Sequence, residues 1–110
     1  MAKQKDEIIF DIKTISNVLY STMGSTALKS SANKILVLLN ELDSLNPGFY
    51  NEAINGLSHT IEEDIFYAEE AEREMNSKNA PKKSTMEFYS LMNKAIDLIH
   101  YNLLNLFYIE

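Results

Sequence analysis

A chain of 110 residues, 45% of them hydrophobic, reads as one domain (residues 1–110) with a single modest core rather than as a disordered polymer. It has no cysteine, which excludes a disulfide framework, thiolate zinc sites and a cysteine nucleophile. Ten Lys and Arg against sixteen Asp and Glu argue against direct binding to nucleic acid, whose phosphates need clustered cations.

The first helix is expected from about Asp6 to Met23, where Ile8, Ile12, Ile15, Leu19 and Met23 recur at helical spacing and form a core stripe. Phe10 points away from that stripe. No signal peptide is expected, because Ile8-Ile9-Phe10 is cut by Asp11 and Lys13. Gly24-Ser25 ends the helix, and Ser25 or Thr26 caps the next one. The second helix carries Leu28, Ala32, Ile35, Leu39 and Leu42 on one stripe, widened by Leu36, Leu38 and Leu45.

Asn46-Pro47-Gly48 reads as a break and restart, with Asn as the cap and Pro at the first helical position. The third helix then presents Tyr50, Ile54, Leu57, Ile61, Ile65, Ala68 and Met75 on one face. Continuous to Met75, it has about 29 residues and spans roughly 43 Å. Gly56 followed by Ser58 leaves a bend or a break open, and a break would use Thr60 and Glu63 as a capping box. Asn76 to Lys83 reads as a loop. Ser84 with Glu87 is the capping-box signature of a fourth helix running to about Tyr108. Four amphipathic helices with short connections predict an all-α fold, an antiparallel four-helix bundle whose long third helix is acidic. No stretch approaches the roughly 18 apolar residues that span a bilayer, so no membrane span is expected.

The charge is concentrated. Glu62 to Glu74 holds seven acids and one base, and the rest of the chain is balanced. On a helix, Glu62, Glu63, Glu70 and Arg73 lie away from the core stripe with Phe66 among them. Glu70 and Glu74 are like charges four apart, Glu69 and Arg73 a favourable pair at that spacing, and the acids crowd the helix end where the macrodipole prefers cations. A local rule broken without local return marks a candidate partner surface. The plain alternative is a solvated face, partly neutralised by Lys78, Lys82 and Lys83. Asp64 and Glu72 flank the core stripe. The expectation is that the helix overhangs the bundle there, rather than that Lys94, Lys29 or Lys34 reaches across to them.

On the fourth helix, Phe88, Leu91, Met92, Ala95, Ile96, Leu98, Ile99, Leu103, Leu106 and Phe107 fill about half the circumference. Tyr101, Leu104 and Tyr108 then add an apolar face to its polar side, which points to extra burial in a dimer or against a partner. The alternative is a chain end wrapped by the third helix.

Metal and catalytic chemistry find little support. A di-iron bundle needs Glu-x-x-His motifs, and the chain offers only Asp97-x-x-His100 and His59-x-x-x-Glu63, with both histidines expected at the surface. There is no Gly-rich phosphate loop and no Gly-x-Ser-x-Gly elbow. The expectation is a small, cytoplasmic, non-catalytic protein with no cofactor and no metal, an inhibitor, immunity or anti-defence type of protein. It binds a larger macromolecule, a protein with a basic groove, through Glu62, Glu63, Phe66, Glu69, Glu70, Glu74, Tyr101, Leu104 and Tyr108. The alternatives are a structural subunit or obligate homodimer joined through the fourth helix, and then a carboxylate-histidine metal bundle. No residue motif ties the chain to a family. The Ile, Asn and Lys content suggests an AT-rich bacterial or phage source.

Overall fold

The computed structural model describes residues 4–79 and 81–107, with side chains as far as residue 104. Helix α1 (Lys5–Asn17) sends Ile8 and Ile12 into the core and leaves Ile15 half-buried. The α-helix stops at Asn17, short of the Met23 expected from spacing, and a 3₁₀ turn, Leu19–Ser21, buries Leu19. Met23, the last residue of the expected stripe, is therefore 86% exposed: the helix that would have carried it inward has already ended.

Helix α2 (Ser25–Leu45) starts from Gly24, whose φ of +96° only glycine adopts without strain. Ser25 is thus the first helical residue and not the cap, and Thr26 is exposed on the first turn. Leu28, Ala32, Ile35, Leu39 and Leu42 are all buried as their spacing predicts, and Leu38 joins them. Leu36 is half-buried, and Leu45 is exposed, beyond the reach of the core.

Pro47 does not open the next helix. Residues 46–50 form a turn, and the Asp43 carboxylate accepts the backbone N–H groups of Gly48 at 3.0 Å and Tyr50 at 3.4 Å. The end of one helix thereby caps the start of the next. Gly48, at φ +89°, supplies the left-handed residue that the turn needs.

Helix α3 (Asn51–His59) runs without a break through a π-helical turn, Thr60–Asp64, into α4 (Ile65–Met75). His59, Thr60, Asp64 and Ile65 all keep right-handed helical dihedrals. The chain does not break at Gly56. That residue marks a close approach of the last helix, since a Cβ there would collide with the Asn102 side-chain amide. The Thr60 hydroxyl donates back to the Gly56 carbonyl at 3.0 Å, so the expected Thr60–Glu63 capping box does not form. Tyr50 and Leu57 are buried and Ile54 half-buried on the expected face. The wider turn buries both Thr60 and Ile61, and the stripe resumes with Ile65 and Ala68 fully buried and Met75 half-buried.

Helix α5 (Lys83–Phe107) begins one residue before Ser84. Ser84 is buried, and its hydroxyl has no hydrogen-bond partner among the described residues, so it makes no capping box with Glu87. Phe88, Met92, Ala95, Ile96, Ile99 and Leu103 are buried, with Leu91 and Leu98 half-buried beside them. The expected core positions Leu106 and Phe107 lie outside the described side chains. The α5 helix packs most extensively on α4, and α1 on α2. Together the rods make an all-α bundle, with no strand among the described residues, measuring 50 × 27 × 22 Å. No described helix is long and apolar enough to cross a membrane.

Candidate interaction surface

The seven acids between Glu62 and Glu74 divide into two groups. Three are tied to other helices. The Asp64 side chain, only 15% exposed, pairs with Lys94 of α5 at 3.7 Å. Glu69 pairs with Lys29 of α2 at 3.8 Å. Glu72 lies over the start of α2, where its carboxylate accepts the Ser25 backbone N–H at 3.2 Å and the Ser25 hydroxyl at 2.5 Å. That end of a helix carries positive partial charge, so the carboxylate is well placed.

Two expectations are corrected here. The helix does not simply overhang at Asp64 and Glu72, because Lys94 does reach the first and α2 holds the second. Nor does Arg73 pair with Glu69. It forms its ion pair with Glu70, while Glu69 turns to α2.

The other four acids, Glu62, Glu63, Glu70 and Glu74, are exposed. Glu63 lies 3.3 Å from His59, which is exposed as well. Phe66 sits between these acids at 47% exposure, its ring edge against Tyr67 with centroids 5.8 Å apart. Toward α5, Glu70 and Glu74 share an open groove of about 560 Å³ with Tyr67, Arg73, Glu87 and Leu91. Glu87, read from sequence as half of a cap, is thus a third carboxylate on the same groove.

Tyr101 and Leu104 are 66% and 44% exposed on α5, as expected of an unpartnered face. They do not join the acidic surface. Gly56 meets Asn102, Asp64 meets Lys94, and Glu70 shares its groove with Glu87, so these pairings run in opposite chain directions. Tyr101 therefore lies about 21 Å along α5 from Glu87 at the usual helical rise. Tyr108, the third member of that face, lies outside the described residues.

The histidines separate. His59 is at the surface, as expected, but His100 is half-buried and stacked on Tyr20, with centroids 5.4 Å apart and rings 6° from parallel. The Tyr20 hydroxyl donates to Asp97, one turn earlier on α5. The Asp97-x-x-His100 pair thus grips a tyrosine from the 3₁₀ turn. The hydrogen bond to Asp97, then burial, then the Asp97 charge hold the Tyr20 pKa above its usual value. Among the described residues no three His, Asp or Glu side chains gather as metal ligands.

Sequence reasoning missed Tyr20 and the Glu72–Ser25 contact. Each joins residues far apart in the chain, and neither leaves a local signal. No protein-family model, curated protein or solved structure matches the chain.

Proposed function

We propose that this protein is a small, non-catalytic interaction module that docks on a basic surface of a larger protein through the outer face of the π-turn and α4. One observation carries this reading: the bundle engages Asp64, Glu69 and Glu72 internally but leaves Glu62, Glu63, Glu70 and Glu74 exposed around the half-exposed ring of Phe66. An aromatic anchor ringed by like charges suits a partner groove with apolar floor and cationic rim. A protein of this kind would act as an inhibitor by covering a groove that otherwise holds nucleic acid.

The test is a pull-down from source-cell lysate at low and high salt, with the Glu62→Lys/Glu63→Lys/Glu74→Lys variant alongside. These positions are exposed, and none bonds to another helix among the described residues, so the fold is expected to survive. One dominant protein, lost in high salt and in the variant, is the expected result. Recovery that the variant leaves undiminished would rule out the acidic face as the docking surface.

A second reading rests on Tyr101 and Leu104, whose exposure favours an isologous dimer through α5. Leu104→Asp should dissolve such a dimer, and high salt should leave it intact.

A further inference from the structure

A groove of about 790 Å³ runs between α1 and α2, within the size range of ordinary binding sites. Ile15, Val37 and Leu38 form its apolar part, Lys29 and Lys34 edge it from α2, and Asp11 stands on the α1 side. Three turns of α2, from Thr26 to Leu38 or about 18 Å, lie open along it. Residues 25–40 contain two lysines and no acid, in a chain whose net charge is −6. The groove is therefore apolar with a cationic edge, and Val37 is exposed on it.

The complementary pattern stands on the same chain. Glu62, Phe66 and Glu70 follow one another at intervals of four on the outer face of the π-turn and α4, an exposed acid–aromatic–acid row about 12 Å long. We infer that the protein self-associates head to tail, with Phe66 of one copy seated on Ile15, Val37 and Leu38 of the next and its flanking glutamates against Lys29 and Lys34. Helix-in-groove docking of this kind needs an apolar residue aimed at the floor and charges matched at the edge, and both are present. The two surfaces belong to different helices, so one copy gives one and accepts the other at once. Such heterologous contacts build rings or open chains rather than isologous pairs. Self-association would also cover the acidic face, so a basic partner would compete with the next copy. The inference rests on the acidic face being a docking surface but not on any particular partner.

The test is sedimentation velocity of the full chain over a range of concentrations, for the wild type, Val37→Asp, Phe66→Lys and an equimolar mixture of the two variants. Both substitutions fall on exposed positions, and circular dichroism confirms that each variant is folded. The wild type should sediment faster as concentration rises, and each variant alone should lose that dependence. Val37→Asp keeps its acidic face and Phe66→Lys keeps its groove, so the mixture should form a 1:1 dimer and nothing larger. Lys34→Glu and Glu62→Lys repeat the design at charged positions. A wild type monomeric at every concentration, variants that still associate alone, or mixtures that stay monomeric would each overturn the inference. A monomeric wild type leaves the basic-partner reading standing, since that reading fails only in the charge-reversal pull-down.

Discussion

Glu72 of α4 closes over Ser25, the first residue of α2, accepting both its backbone N–H and its hydroxyl. Gly24 has no side chain to cap α2, and a Cβ there would come within 3.1 Å of Glu72 Oε2. The cap is thus supplied from a neighbouring helix, 47 residues further along the chain. Glu72→Ala is expected to lower stability by about 1–2 kcal/mol in urea unfolding, the usual cost of a lost cap with its dipole interaction. Ser25→Ala should cost less, because the backbone N–H still reaches the carboxylate. The double variant should fall short of the sum.

Gly56 and Asn102 make a second prediction. In a free helix, Gly to Ala gains up to about 1 kcal/mol. Here the new methyl meets the Asn102 amide, so Gly56→Ala should destabilise the bundle. In an Asn102→Ala background the same change should stabilise it, and a double-mutant cycle by thermal unfolding reads the sign reversal directly.

The turn before α3 depends on Asp43 more than on Pro47. Asp43→Ala removes the acceptor of two backbone N–H groups and should cost about 1 kcal/mol, whereas Pro47→Ala should cost less than half of that. Gly48→Ala should cost about 1–2 kcal/mol for backbone strain alone, since nothing lies within 4 Å of its added Cβ. Chemical denaturation of the three variants ranks them.

Tyr20 sets an alkaline limit. Its folded pKa is raised above the ordinary value of 10.0, chiefly by its hydrogen bond to Asp97. A raised pKa means that the contribution is complete below the unfolded value and is lost as pH climbs through the folded one. Stability should therefore decline above pH 10 more steeply in the wild type than in Tyr20→Phe. Tyrosinate absorbance should show one late-titrating phenol that Tyr20→Phe removes.

The parts of the fold that were legible in the sequence are those with a local signature. Leu28, Ala32, Ile35, Leu39 and Leu42 repeat at helical spacing and all reach the core. Exposure of Phe10, Phe66, Tyr101 and Leu104 followed from the same periodicity. Periodicity failed where helices end, because Met23 continues the pattern beyond the last turn that could use it. The capping expectations at Ser25, Thr60 and Ser84 failed because each hydroxyl found another setting: the Glu72 carboxylate, the preceding turn, and the core. On the candidate surface the number of acids was plain from sequence. Which three the bundle would engage was not, since Lys29, Lys94 and Ser25 come from other helices.

The π-turn at Thr60–Asp64 also makes the chain sensitive to length. A π-turn holds one residue more than the α-helical turn it replaces. Deleting a single residue there would let the rod relax to α-helix but swing everything after it by about 100°. Ile65 and Ala68 would leave the core, and Glu72 would lose α2. Charge reversals on the outer surface should be absorbed with little change in folding. The loss of one codon in this stretch should not be, so drift in this gene is expected to change letters here far more readily than to change their number.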